Sequence, residues 1–482
     1  MGTVPLTRSQ LRLLDEAGDG VLLPAARAVL GALSRRGYEG VVIGGAVRDL
    51  FLGRVPHDLD IACAALPDTV LSVAAAEGWG SVPVGISFGV VRIRYRGVEI
   101  EVATYRSEES YTDGRRPDAG GIAFRGSLDA DVRRRDFTMN GLALRLLADP
   151  PVVEDLVQGI PDVSAGLIRT IGVPEARFAE DSLRPLRAVR FAAVLGFQVE
   201  EATLRAMTLA GPGLSRVSGE RVCQELDRAL TEGSGATATA LLLQCGFLPV
   251  LFPALSEGPR ERLGGLGDLV GRLPSSPGLP LFLAGLAAAA SPGDPAGARR
   301  LAEGFTNRLR APATLRDGVH EILKVSAGLA GAERLPLARR AGLYRSCCYP
   351  EALTLARGLA SSDLDALAVL ETLDQERSTL PPQRLDPPAL LTGADLLAEG
   401  LEPGPLFRVL LGELSDRIVE GAMSTREEAL TWLRERLRSR RGSGSGGSSG
   451  GSGGSSGGSS GGSGGGSGGS RGGSRGGGNG GK

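Results

Sequence analysis

The sequence predicts an α+β chain: a small sheet-bearing unit near the N terminus, a long all-helical part, and a closing Gly/Ser coil. Three observations carry this. Residues 40–105 alternate short β-rich runs with Gly-containing turns. From about 175 to about 440, apolar residues recur every three or four positions in segments that end at Gly or Pro, the pattern of amphipathic helices. Residues 442–482 are almost entirely Gly and Ser, with Arg471, Arg475 and Lys482, and offer nothing to bury.

Taken in order, GVVI (Gly40–Ile43) reads as a strand, and Ala46–Leu52 as a short helix starting at the Gly44-Gly45 turn. Leu59–Ala62 reads as a second strand. GVVRIRYRG (Gly89–Gly97) and VEIEVATYR (Val98–Arg106) alternate on both arms and predict a hairpin about Arg96-Gly97. Later segments, among them ARFAEDSLRPLRAVRFAAVLGF and SGERVCQELDRALTEG, read as helices. Proline-containing breaks near 274–283 and 380–388 suggest unit boundaries, and no fixed-period repeat is visible.

Composition excludes several classes. The 55 acidic and 54 basic residues nearly cancel, so bulk charge names no partner. The bases are arginines except Lys324 and Lys482, and arginine is the better bidentate phosphate binder. Five cysteines without a CxxC pair suggest reduced thiols. Only His57 and His320 occur, which excludes most histidine-rich metal sites. Without an 18-residue apolar run or an N-terminal apolar region behind a basic start, the expectation is a soluble, cytoplasmic protein. The tail reads as an inert coil, with a weak RGG-like RNA contact as the alternative.

The chemistry concentrates in VIGGAVRDLFLGRVPHDLDIA (Val42–Ala62). In a strand, positions i and i+2 share a face, so Asp58 and Asp60 present two carboxylates together, and Glu99 and Glu101 follow the same rule on the hairpin. Carboxylates on adjacent strands suit one or two Mg²⁺ ions, which prefer carboxylate and phosphate oxygens and can stabilise both oxygens of an in-line phosphoryl displacement. The Gly-Gly turn exposes backbone N–H groups at a helix start, a seat for phosphate, with Arg48 in the first turn.

GGAVRDLFLGRVPHDLDIA resembles the nucleotidyltransferase motif of class II tRNA nucleotidyltransferases, the CCA-adding enzymes, and of bacterial poly(A) polymerases. Four further stretches resemble that family in the same order: RRRDFTMNGLA (Arg133–Ala143), VEDLVQGIPDVSAGLIRTIG (Val153–Gly172), ARFAEDSLRPLRAVRFAAVLGF (Ala176–Phe197) and SGERVCQEL (Ser218–Leu226). Gln158 and Pro185 depart from the family pattern. A looser likeness to the tail of the bacterial tRNA enzymes covers LTGADLLAEG and VEGAMSTREEALTWL. The resemblance implies a small mixed β-sheet nucleotidyltransferase head (1–172), then an all-helical, seahorse-like series: a base-recognising neck (173–235), a body (236–335) and a tRNA-binding tail (336–441). A disordered Gly/Ser tail (442–482) follows.

By the same resemblance, Asp58 and Asp60 would bind the catalytic Mg²⁺ and Glu101 would assist deprotonation of the RNA 3′-hydroxyl. Gly45, Arg48 and Arg135 would hold the triphosphate or ribose. Asp181, Arg184, Arg187 and Arg190 recur every three residues on one expected helix; a salt-bridge ladder there is worth only about 0.2–0.5 kcal/mol per pair. The family's matching Asp and first Arg replace a Watson–Crick partner. A carboxylate from Asp181 and a guanidinium from Arg184 match the amino donor and ring-nitrogen acceptor of cytosine and adenine, selecting CTP and ATP over UTP and GTP. Arg187 and Arg190 would face phosphates. The segment Ser107–Phe124, with Asp113, Arg115 and Arg116, resembles the flexible loop that CC-only enzymes lack. The expected function is template-independent addition of C and A, CCA or its terminal A, to the tRNA 3′ end with release of pyrophosphate. The alternatives are an A-adding specialist, a poly(A) polymerase, or a non-catalytic RNA-binding relative. Arg299, Arg300, Arg308 and Arg310 are candidate tRNA contacts, and oligomeric state is left open.

Overall fold

The computed structural model describes residues 2–85, 89–108, 122–123, 126–257, 261–360 and 362–442. They form two compact units. The first runs to Pro388 and includes Asp416–Gly421; the second comprises Ala389–Ser415 and residues from Ala422 onward. The α+β expectation holds, with the strands at the N-terminal side and helices after them.

The sheet strands of the first unit are β1 (Gly2–Pro5), β2 (Gly40–Ile43), β3 (Ile61–Cys63), β4 (Gly80–Gly85), β5 (Val90–Tyr95) and β6 (Val98–Thr104). A short pair, β7 (Ser107–Glu108) and β8 (Ile122–Ala123), stands apart, and β9 (Leu142–Arg145) and β10 (Val152–Asp155) return to the sheet. The order is β1-β10-β9-β2-β3-β6-β5-β4. The β3–β6 pair is parallel and the other neighbours are antiparallel, so the sheet is mixed.

The hairpin forms where alternation predicts it. Val91, Ile93, Ile100 and Val102 are buried while Glu99 and Glu101 face out. Tyr95 pairs with Val98 across a two-residue turn in which Arg96 and Gly97 have φ of 46° and 89°. Two residues with positive φ make a type I′ turn, whose twist matches the strands. β1 and β4 escape the pattern reading because one is exposed throughout and the other is interrupted by Pro83.

The helices that position the sheet's functional edge are α1 (Arg8–Glu16), α2 (Leu22–Ser34), α3 (Gly45–Phe51), α4 (Pro67–Ala76), α5 (Leu128–Arg133) and α6 (Gly159–Ala165). α2 buries Ala25, Ala26, Val29, Leu30 and Leu33 in the core below the strands. Then come α7 (Pro174–Glu180), α8 (Arg184–Leu195), α9 (Glu201–Ala210) and α10 (Gly219–Thr231), with two residues each of β11 (Leu167–Ile168) and β12 (Gln198–Val199) in parallel.

Two expectations about elements need correction. The second strand begins at Ile61, so Asp58 and Asp60 precede β3; the extended alternation nevertheless persists, with Leu59 buried between two exposed aspartates. The helix expected to run through Asp181 is two helices. Asp181 is extended at φ −142° and ψ 106°, and Pro185 falls in the first turn of α8, where a missing N–H costs no helical bond.

Candidate active site

β2 delivers the chain to Gly44, whose φ of 89° and ψ of −135° suit only glycine, and α3 starts at the next residue. A methyl group at Gly44 would stand 3.6 Å from Arg135 Nη1, and one at Gly45 would stand 3.6 Å from Arg48 Nη2. The structure therefore brings Gly45, Arg48 and Arg135 together. Their roles differ. Arg48 is buried, donating to Asp49 Oδ1 at 2.8 and 3.0 Å and to Asn140 Oδ1 at 2.9 Å, so it braces the turn from below. Arg135 is held by Asp131 Oδ2 at 3.0 Å and keeps part of its side chain open.

The acidic residues meet across the parallel pair. Ile61 lies level with Val102, and the Ile43 N–H donates to the Asp60 carbonyl at 3.0 Å. One step earlier in that register Asp60 lies beside Glu101, 41 positions on in the chain. Desolvation, then the charges of Asp58 and Glu101, push the Asp60 carboxyl up to about 6 against the pull of Arg135. Glu101 accepts from Arg92 at 2.7 Å. Glu99 is bonded to Arg94 at 2.9 Å and paired with Arg92 at 3.3 Å, which holds it below the usual carboxylate range. Glu99 is thus neutralised within the hairpin.

Among the described residues no group of three or more His, Cys, Asp or Glu gathers closely enough to hold a metal alone. Asp58 and Asp60 are a two-carboxylate donor set with mutual repulsion, which a hard divalent cation relieves while leaving positions for water and substrate oxygens. The donor set fits such an ion.

The residues expected to read the base and face phosphates make the following contacts within the protein. Asp181 accepts from the Leu183 N–H at 3.0 Å and from Arg221 Nη2 at 2.7 Å. Arg184 is buried and spends its guanidinium on the Arg134 carbonyl at 2.8 Å, the Arg177 carbonyl at 2.9 Å and the Glu180 carboxylate. Arg187 pairs with Asp136 at 2.7 Å and Glu225 at 3.5 Å. Arg190 is buried against Glu225 at 2.6 Å, and its guanidinium lies 4.0 Å from the Phe191 ring centre. Arg187, half-buried, and Arg190, buried, were expected to face phosphates and are each paired with acids, Glu225 coming from α10 packed on α8. Asp113, Arg115, Arg116 and the Gly/Ser tail lie outside the described residues.

Residues 41–169 match the family described as Poly A polymerase head domain, and residues 196–258 match Probable RNA and SrmB-binding site of polymerase A. The CCA-adding enzyme of Levilactobacillus brevis is 31% identical over 414 residues, covering 84% of this chain and 96% of that protein. The chain belongs to the CCA-adding enzyme family. Another CCA-adding enzyme, from Leuconostoc mesenteroides, is 40% identical over 219 residues, 45% of this chain; that match spans about half the relative's length, 52%. The solved Bacillus stearothermophilus CCA-adding enzyme in complex with CTP is similar at 26% identity and a TM-score of 0.70, covering 88% of this chain and 99% of that one.

In this CCA-adding family member the residues that sequence reading passed over lie in its own motifs. Asp136 takes the Phe137 N–H at 2.8 Å, Asn140 Nδ2 at 3.2 Å and Arg187 Nε at 2.8 Å. Asn140 in turn accepts from Arg48. Burial alone would raise the Asp136 carboxyl; Arg187, Phe137 and Asn140 outweigh it and hold the group at about 2. The four-residue spacing of Asp136 and Asn140 within RRRDFTMNGLA was the available signal. This chain of contacts ties the Gly-Gly turn to α8. Glu225 and Arg221, in SGERVCQEL, hold the far ends.

Proposed function

We propose that this protein adds C and A residues to the 3′ end of tRNA from CTP and ATP, releasing pyrophosphate. The observation that carries the reading is the parallel register that puts Asp60 beside Glu101, with Asp58 two residues away and the Gly44-Gly45 turn and Arg135 facing them. Family membership and the likeness to a CTP-bound CCA-adding enzyme support it. The division into head (1–172), neck (173–235), body (236–335) and tail (336–441) belongs to this proposal, with tRNA held by its shape and backbone.

Asp58 and Asp60 would hold Mg²⁺, which when bound neutralises charge on the transferring phosphoryl group. The exposed turn N–H groups and Arg135 would orient the triphosphate, while Arg48 and Asn140 keep the turn rigid. Glu101, which accepts a hydrogen bond from Arg92, would assist deprotonation of the attacking 3′-hydroxyl. Asp181 would present its carboxylate to the exocyclic amino group of the base, oriented by Arg221 and the Leu183 N–H. Arg184 would fix the adjoining loop and Arg187 the approach to the pocket. All five cysteines are free, and among the described residues no helix is long and apolar enough to cross a membrane; both support a cytoplasmic site of action.

The test offers Mg²⁺, CTP and ATP with tRNA ending at the discriminator base, tRNA ending in CC, and unstructured RNA, then sequences the new ends. CCA on the first substrate is expected. A single A confined to the second would identify an A-adding specialist, long A runs on the third a poly(A) polymerase, and no extension a binding relative.

A further inference from the structure

Outside the acidic site, Cys347 and Cys348 adjoin the start of the eleven-residue helix Tyr349–Leu359. Their sulfurs are 3.8 Å apart, with Cys347 exposed and Cys348 half-buried. A tetrahedral cation bound to two thiolates at about 2.3 Å requires a sulfur separation of about 3.8 Å. The pair has the bite of such a chelate without rearrangement.

The surroundings favour a cation. One carboxylate oxygen of Glu351, in the helix's first turn, is buried and accepts no hydrogen bond, and Glu351 and Glu321 both lie within electrostatic range of Cys348. Ser346 fixes the local backbone, accepting from the Cys348 N–H at 3.3 Å and donating to Glu321 at 3.1 Å. Burial, Cys347 and the two carboxylates push the Cys348 thiol up to about 11, so the thiolate forms together with the cation that it binds.

We propose that Cys347 and Cys348 form a two-sulfur chelate for one thiophilic divalent cation of the zinc–cadmium class, with Glu351 as the nearby counter-charge. Both thiols lose their protons on binding, so each cation taken up releases two protons, and solvent completes the coordination on the open Cys347 side. Soft sulfur donors here and hard carboxylates at Asp58 and Asp60 separate the two sites by metal class.

The test titrates the full chain with Cd²⁺ under excess Mg²⁺, reading thiolate-to-metal charge-transfer absorption and proton release. One Cd²⁺ and two protons per chain are expected. Cys347→Ser and Cys348→Ser should each remove the band, and Glu351→Gln should weaken binding roughly tenfold. Cys347 is exposed, so its variant keeps the fold, checked by circular dichroism, and keeps its basal nucleotide transfer. Absence of the band in the parent chain would overturn the proposal. So would its persistence in the double Cys→Ser variant, which would move it to Cys63, Cys223 or Cys245.

Discussion

Between pH 4 and 6 the folded chain holds a proton on Asp60 that the unfolded chain has lost, because the carboxyl is pushed from 3.8 to about 6. The folded state binds more protons in that window, so this group's contribution to stability falls as pH rises through it. Solvent access limits the effect to about 1 kcal/mol. Asp60→Asn should therefore unfold at a higher temperature than the parent at pH 7, with the difference shrinking toward pH 4, while transferring no nucleotide. A divalent cation should narrow the gap by stabilising the parent alone. Equal stability at pH 7 in metal-free buffer would show that Asp60 does not feel its acidic neighbours. Asp136 has the opposite sign: held at about 2, it contributes stability above its ordinary 3.8 that is lost as pH falls through about 2. Asp136→Asn removes the carboxylate 2.7 Å from half-buried Arg187, leaving it Glu225 at 3.5 Å and the charge of Asp181, and should cost about 2 kcal/mol, read as a lower urea midpoint.

At the scale of elements, the hairpin and the helix after the Gly-Gly turn were legible because strict alternation and a Gly-Gly start are local properties of the chain. The carboxylates suggested that β3 and β6 are neighbours, but nothing within either segment states that they run parallel. The break at Asp181 was half legible. Pro185 announced a helix start, but the apolar rhythm on both sides of it imitates one continuous helix. The ion pairs of the arginines were not legible for a related reason. A count of guanidiniums on one face ignores the acids that another helix brings, and Glu225 on α10 consumes Arg190. Arg308, a candidate tRNA contact, donates from Nη2 to the carbonyls of Leu214 at 3.1 Å and Val217 at 3.2 Å, a tie between segments more than ninety residues apart. Arg310 pairs with Glu220 at 2.8 Å and Arg300 with Asp294 at 3.5 Å.

Within the first unit, the helix Pro295–Arg308 ends against the start of α10, and the two backbones touch at a glycine. A methyl group at Gly219 would lie 2.2 Å from the Arg308 carbonyl oxygen and 2.8 Å from the Leu309 carbonyl carbon. Backbone cannot rotate away as a side chain can. Gly219→Ala should cost about 2–3 kcal/mol in equilibrium unfolding, and an unchanged midpoint would mean that the joint is loose. The parallel β3–β6 pair also sets a schedule for the molecule. Neither strand can find the other until the 34 positions between Cys63 and Val98, with α4 and the β4–β5 hairpin arm, have been laid down. Contacts of long separation close late. In refolding from urea, helical ellipticity should recover before nucleotide transfer does, because the carboxylates that perform the chemistry become neighbours only in one of the last strand registrations.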